Sequence, residues 1–314
     1  MPELPEVETV RRGLAAQITG RTFIGISFLE WPRTIEAPTP EELTRRIAGR
    51  RVVDVQRRAK FLLVVLDNDE ALTIHLRMTG QVTIAPHDMP RDRFERVAFA
   101  FADGDELRFS DIRRFGRIAL YDRDALAARF RALGPEPLGD DWARDDFAAA
   151  LARRRTRLKP LLLDQSFLAG LGNIYVDESL FRAGLHPLTP AAEVTPAGAA
   201  RLHATIREVL GEAIASGGTT FSNYRDAFGN EGDYYERRRV YGRTDEPCST
   251  CGTAIARIVV GGRGTHFCPR CQPLPGTSGA TIVPFPVATQ RERLVAEPRA
   301  GYAVDGEDGS EDGR

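Results

Sequence analysis

Three sets of residues have types and spacing suited to chemistry. The first is the N-terminal pair Pro2-Glu3. Initiator methionine is commonly removed before small residues such as proline, and the chain would then begin with a secondary amine. An α-amino group titrates near about 7.7–8.0, well below a lysine at about 10.4, so much of it is a free nucleophile at neutral pH. The positive end of a following helix lowers that value further, while Glu3 and Glu6 raise it, so the net direction stays open. A secondary amine attacking a carbonyl-like carbon gives an iminium ion, an electron sink for elimination, and Glu3 is a candidate proton donor beside it. The second set is the four cysteines, Cys248-x-x-Cys251 and Cys268-x-x-Cys271, with sixteen residues between the pairs. Two close pairs at this separation suit tetrahedral zinc, and four thiolates leave no open coordination position, so the ion would be structural. Two disulfides are the alternative, which a cytosolic setting disfavours. The third set is defined by scarcity: Lys60 and Lys159 are the only lysines, and the rest of the 43 basic residues are arginines. A reaction that works through an amine has few to choose from.

The arginines are unevenly distributed. Arg45, Arg46, Arg50, Arg51, Arg57, Arg58 and Lys60 form one run; Arg113, Arg114 and Arg117 surround Phe115; Arg153, Arg154, Arg155, Arg157 and Lys159 form another; Arg237, Arg238, Arg239 and Arg243 lead into the cysteine module, which adds Arg263 and Arg270. One run is ordinarily a solvated face, but four, one of them beside a zinc module, point to phosphate binding. Phe115 between arginines is a wedge suited to a base stack. The overall net charge of -1 hides these local excesses.

The elements that must position these groups follow from periodicity. Residues 5–19 form a helix with Val7, Val10, Leu14 and Ile18 on one face and Gly20 beyond its end. Eight short β-type runs follow between residues 22 and 121, separated by turns such as Asp103-Gly104-Asp105, which predicts a β-sandwich or barrel. Gly134-Pro-Glu-Pro-Leu-Gly139 marks a boundary. Helical spacing then covers Trp142–Arg153, Leu158–Gln165, Ile174–Ala183 and Pro196–Ala215. Residues 219–239 form a polar loop, and a hairpin knuckle of strands Ala254–Val260 and Thr265–Cys268 is expected around Gly261-Gly262-Arg263-Gly264. The fold class expected is α+β. The domains expected are a β-sandwich (1–133), a helical domain (134–240), a zinc finger (241–275) and a largely disordered tail (276–314). No apolar run reaches the roughly 20 residues of a membrane helix, and no signal peptide is evident, so a cytoplasmic chain is expected.

Taken together these residues resemble the formamidopyrimidine-DNA glycosylase family. The similarity runs through Met1-Pro-Glu-Leu-Pro-Glu-Val-Glu-Thr9, Gln56-Arg-Arg-Ala-Lys60, His75-Leu-Arg-Met-Thr-Gly80, Arg113-Arg-Phe-Gly116, Gly134-Pro-Glu-Pro-Leu138, Gly172-Asn-Ile-Tyr175 with Glu178, and the cysteine module with Arg263. The resemblance implies a bifunctional DNA glycosylase and AP lyase of base excision repair, a monomer acting on double-stranded DNA with oxidised purines or abasic sites and holding one structural zinc. Pro2 would attack C1′ of a nucleotide flipped out of the duplex, as such chemistry requires. Glu3 would protonate the opening sugar. Lys60 would bind phosphate and assist β-elimination, and Arg263 would hold phosphate and assist δ-elimination. Met78, Arg113 and Phe115 would fill the void left by the flipped base, with Arg113 reading the orphaned cytosine. Asn173 would open a helix of a helix–two-turn–helix element, whose N-terminal amides suit a phosphate. Arg154 would contact DNA, Glu178 would lie in the lesion pocket, and the 219–239 loop would close over the damaged base.

The chain departs from the family pattern at Ile112, where proline often precedes the two arginines, at Gly262, where glutamine often precedes the finger arginine, and at Phe94 and Arg96, where histidines often lie. His75 sits in an apolar run and reads as a satisfied structural histidine. Two rivals stand: the endonuclease VIII branch, which prefers oxidised pyrimidines, and a non-catalytic zinc protein that binds DNA with the same fold.

Overall fold

A computed structural model describes residues 2–275 apart from 141 and 221–223. The tail expected to be disordered, 276–314, lies outside the described residues.

The chain begins with helix α1 (Leu4–Ile18), where Pro5 occupies the first turn and the Glu6 carboxylate accepts the Glu3 backbone N–H at 2.8 Å. Such reciprocity across three residues fixes the entry of the chain into the helix. Then come β1 (Phe23–Leu29), β2 (Ile35–Ala37), α2 (Pro40–Ile47), β3 (Val52–Arg58), β4 (Phe61–Leu66), β5 (Ala71–His75), β6 (Gly80–Pro86), β7 (Glu95–Phe101), β8 (Asp105–Asp111) and β9 (Arg117–Tyr121). All eight expected runs are strands. The ninth, β2, is a three-residue strand lying parallel to β9, too short to show a period. One sheet has the order β1-β7-β8-β6 and the other β2-β9-β5-β4-β3. Alternate residues of both sheets meet the apolar face of α1: Val7, Val10, Leu14 and Ile18 share one core with Phe23, Val64, Ile74, Phe99 and Phe109.

The second half is helical: α3 (Arg123–Phe130), α4 (Arg144–Ala152), α5 (Leu158–Leu163), α6 (Asn173–Ala183) and α7 (Pro196–Ala215). Thr195 caps α7, its hydroxyl accepting the Gly198 N–H at 3.1 Å, and Gly184 ends α6 in the left-handed region at φ 67°. A second core gathers Trp142, Phe147, Leu162, Leu171, Tyr175, Leu202 and Ile206. Leu4 belongs to this second core although Val7, one turn later, belongs to the first. Helix α1 therefore straddles the joint. No helix among the described residues is long and apolar enough to cross a membrane.

The last elements are β10 (Ala256–Val260) and β11 (Arg263–Phe267), antiparallel, with Val260 opposite Arg263. The turn is thus the two residues Gly261 and Gly262, shorter than expected, and Arg263 opens a strand. Both turn residues have positive φ, 57° and 74°, as a two-residue turn of the primed kind demands. This accounts for glycine at position 262.

Candidate active site and DNA interface

Glu3 is buried at the joint between the two cores. Its Oε1 accepts the backbone N–H of Ile174 at 3.0 Å, at the start of α6, and its Oε2 is buried without a partner. The approach is possible because residue 172 is glycine: a Cβ there would lie 2.3 Å from the Glu3 carboxyl carbon. Two residues earlier, the Leu4 N–H donates to the Gly170 carbonyl at 3.1 Å. Burial pushes the Glu3 carboxyl above its ordinary range, with the Lys60 ammonium opposing. The Glu3 bond also revises the expectation for the start of α6: the Ile174 amide is taken by a side chain of the protein and is not free for phosphate.

Lys60 lies in the two-residue turn between β3 and β4, after Ala59 at φ 52°. Its Nζ donates to the Leu171 carbonyl at 2.7 Å, beside the Gly172 that receives Glu3. Burial lowers its pKa, Glu3 and Glu6 oppose, and Arg263 adds to the lowering. The turn is clamped by Glu136, whose Oε1 accepts from Arg58 at 2.9 Å and from the Ala59 N–H at 2.5 Å, while its Oε2 lies 2.8 Å from the Arg57 guanidinium. Arg57 and Arg58, which the charge map assigned to a phosphate-binding run, hold a turn in place.

Around Glu3 and Lys60 opens a cleft of about 510 Å³, lined among others by Met78, Asn173, Tyr241 and Arg263. Among the described residues, Glu3 is the only carboxyl in that lining. Asn173 begins α6 and its Nδ2 donates to the Gly264 carbonyl of β11 at 2.9 Å, leaving its Oδ1 buried and unpartnered. Pro2 is buried immediately before Glu3. Five predicted side chains, Glu3, Lys60, Met78, Asn173 and Arg263, thus share one cleft. A larger cleft, about 740 Å³, lies between Arg182, Arg237, Arg243, Glu212 and Glu246. It holds no predicted catalytic group, and Arg182 and Arg243 are paired to Glu212 and Glu246 at 2.5 and 2.8 Å, so volume does not select the site.

His75 also lines the cleft. Its Nδ1 accepts the Arg77 N–H at 3.0 Å and its ring meets Phe61 edge-on at 4.5 Å. Burial first, and the Arg77 charge second, hold its pKa down to about 3. The imidazole is neutral and satisfied, in keeping with a structural histidine. An unfolded ring titrates near about 6.5, so between about pH 6.5 and 3 the unfolded chain takes up a proton that the folded ring refuses. Stability from this group is complete above that window and is lost as pH falls through it. In urea titrations His75→Gln should lose less stability between about pH 6.5 and 4 than the parent chain. Equal losses would refute the assignment.

Met78 and Phe115 stand at two loop tips, 38% and 48% exposed. Asp111 ties the loops together: one oxygen accepts from the Thr79 hydroxyl and the Arg113 N–H, the other accepts the Gly116 N–H at 2.7 Å. The exposed Arg113 guanidinium stacks on the Phe115 ring at 4.8 Å. The third arginine run, 153–159, is split. Arg154 is exposed, but Lys159 is fully buried, its Nζ 2.5 Å from Asp177 Oδ1. Asp177 Oδ2 accepts the His266 N–H at 2.9 Å, so this pair fastens α5 and α6 to β11.

Glu178 departs from expectation. It is fully buried and does not line the cleft; its two oxygens accept the backbone N–H groups of Arg239, Val240 and Tyr241 at 2.8, 3.0 and 2.8 Å. It anchors the segment that leads to the cysteine module. Glu6 was missed as a site residue. Its carboxylate, pushed up by burial and then by Glu3, accepts the Thr219 N–H at 2.7 Å and the Tyr175 hydroxyl. It connects the N-terminus to the start of the 219–239 loop. The three-residue spacing Glu3-x-x-Glu6 at a helix start was the available signal. Beyond residues 221–223, the loop packs on α1 through Tyr224, whose hydroxyl donates to the Glu6 carbonyl at 3.2 Å, and through Ala227.

The sulfurs of Cys248, Cys251, Cys268 and Cys271 lie within 4.8 Å of one another, two contacts being 3.9 and 3.5 Å. Four Zn–S bonds of about 2.3 Å at tetrahedral angles require sulfurs about 3.8 Å apart. The donor set fits one structural zinc, with the N–H groups of Thr250 and Cys271 donating to the Cys248 and Cys268 sulfurs.

Residues 1–118 match the formamidopyrimidine-DNA glycosylase N-terminal domain, 133–225 the H2TH domain of the same glycosylases, and 245–274 the zinc finger found in FPG and IleRS. The formamidopyrimidine-DNA glycosylase of Herpetosiphon aurantiacus is 52% identical over 272 residues, covering 87% of this chain and all of that protein. That of Bacillus subtilis is 44% identical over 275 residues, covering 87% and 99%. Among solved structures, a Lactococcus lactis FPG variant in complex with Fapy-dG containing DNA superposes with a TM-score of 0.82 at 39% identity, covering 87% of this chain and 100% of that one. The Lactococcus lactis protein with an abasic site containing DNA gives 0.81 at 39%, covering 86% and 99%. With three matched segments, extensive identity and a shared fold, the chain belongs to the formamidopyrimidine-DNA glycosylase family.

Proposed function

We propose that this protein is a bifunctional DNA glycosylase and AP lyase that removes oxidised purines, 8-oxoguanine and formamidopyrimidines, from double-stranded DNA. The observation that carries this is the cleft in which Glu3, buried next to Pro2, faces Lys60, Asn173 and Arg263. While Met1 is attached the Pro2 nitrogen is an amide; after its removal the nitrogen is a secondary amine beside a carboxyl that burial keeps protonated above the ordinary range. The amine lone pair attacks C1′, the bond to the damaged base breaks with its electrons on the base, the proton the amine sheds neutralises that base, and Glu3 gives its proton to the sugar ring oxygen as the nitrogen lone pair opens the ring to an iminium. Loss of a C2′ proton sends its C–H electron pair into the iminium to give an enamine, and the return of that pair expels the 3′ phosphate and leaves a conjugated iminium. A second elimination then expels the 5′ phosphate. Lys60 and Arg263 are the cations for these phosphates, and Asn173 contributes its carboxamide. Met78, Arg113 and Phe115 occupy the vacated stack, and Arg154 meets the backbone farther out. Residues 1–133 would serve as the catalytic domain, 134–240 and 241–275 as the DNA-binding ones.

Borohydride trapping with peptide mapping tests this. The expected adduct joins abasic DNA to the N-terminal peptide of a chain that starts at Pro2. Mapping is preferable to deleting lysines, because Lys159→Ala would strand a buried Asp177. An adduct on the Lys60 or Lys159 peptide, or none, would overturn the mechanism.

A further inference from the structure

The loop that carries Arg113 and Phe115 has a second support besides the Asp111 carboxylate. Arg114 lies in the left-handed region at φ 59°, a strained conformation for a residue with a Cβ. Ile112 leaves its own φ free and is 43% exposed, so neither its backbone chemistry nor its burial stiffens the loop. What holds Arg114 is Glu30, just past the end of β1. Glu30 Oε1 accepts from Arg114 Nη2 at 2.7 Å, and Oε2 accepts from Arg96 Nη1 at 2.8 Å. Arg96, whose side chain is 5% exposed, donates through Nε to the Asp111 carbonyl at 2.8 Å. The Arg114 guanidinium also stacks 4.6 Å from the Trp31 ring centroid. Glu30 itself hangs from β7 by its N–H to the Arg96 carbonyl at 2.9 Å. The bonds close a ring: Asp111 carbonyl, Arg96, Glu30, Arg114, and back along the chain to Asp111.

We infer that Glu30 is a positioning residue for the base-excision reaction, holding the loop of Arg113 and Phe115 rigid before DNA arrives. This rests on the wedge role proposed above for those two side chains. One carboxylate between two guanidinium groups keeps Arg114 in its strained posture, and with it the direction in which its neighbours project. A loop ordered in advance loses less conformational freedom on entering the duplex. The buried end of the ring, Arg96, gives a surface ion pair a rigid footing that an isolated exposed pair lacks.

Glu30→Gln tests the brace, since one amide oxygen cannot serve two guanidinium groups as a carboxylate does. Amide hydrogen exchange across residues 112–116 should accelerate in the free protein. Single-turnover excision of 8-oxoguanine should fall about tenfold, with cleavage at a preformed abasic site changed by less than about twofold and the melting temperature kept. Unchanged exchange at 112–116 overturns the brace whatever the activity. Loss of both activities together with a lower melting temperature also overturns it, because Glu30 would then serve only the fold. Phe115→Ala in the same assay judges the wedge separately: excision at the parent rate would sink the wedge role, while the exchange data would still decide the brace.

Discussion

Replacing Glu3 by glutamine is expected to slow base excision by about 10²- to 10⁴-fold, the usual contribution of a positioned general acid. Glutamine keeps the shape of the side chain, and its oxygen can still accept the Ile174 N–H that Glu3 accepts at 3.0 Å, so the fold should survive. What it lacks is a carboxyl that can carry and release a proton at the unpartnered Oε2 position. Among the described residues no other carboxyl lines the cleft to replace it. Borohydride trapping on abasic DNA, which needs the amine but not departure of a base, should persist in Glu3→Gln. The pH profile has a definite sign. Burial raises the Glu3 pKa against the opposing charge of Lys60. Excision that needs protonated Glu3 is therefore retained above the ordinary carboxylate range of about 4.3 and declines as pH rises through the raised value. In Lys60→Met, whatever its residual rate, that alkaline limb should move to higher pH. Excision by Glu3→Gln at the parent rate would remove Glu3 from the mechanism.

Stripping zinc should be as damaging, by a different route. Structural zinc sites of this kind contribute about 10–16 kcal/mol of local folding free energy in isolated fingers. The hairpin they stabilise supplies Arg263 to the cleft, the Gly264 carbonyl to Asn173, and the His266 N–H to Asp177. A chelated chain should lose binding to abasic duplex and strand cleavage together. Its β-sandwich and helical cores use no residue of the hairpin, so most far-UV circular dichroism should remain. Elemental analysis should return one zinc per chain. Metal-free protein that still cleaves abasic DNA would contradict the positioning role of the module.

Much of this architecture was legible because it is local. Val7, Val10, Leu14 and Ile18 announce a helix face by their period, and all four are buried. The cysteine spacing announces a metal knuckle. Helix α2 was missed although its signal is present: Thr39 accepts the Glu42 N–H at 3.3 Å, proline follows, and acids fill the first turn. What no window of sequence displays is which distant groups a charge meets. Glu136 clamps Arg57 and Arg58, Asp177 buries Lys159, and Glu178 gathers three backbone amides, so residues read as cationic surface or pocket acid turn out to be struts. Charge runs predict a surface only when their partners are solvent, and partners on other elements, from 18 to 79 positions away here, are set by tertiary contacts.

Helix α1 straddles both cores, and this bears on how the enzyme is made. The ribosome releases Pro2 and Glu3 first, yet the amides and glycines that surround Glu3 come from residues 170–175, and the Thr219 amide that fixes Glu6 comes later still. At about 5–20 residues per second, roughly 10–40 s separate the two events. During that interval Glu3 is an ordinary solvated acid, and any amine beside it has no cleft. The cleft around Glu3 and Lys60 thus exists only once the second half of the chain has folded onto the first.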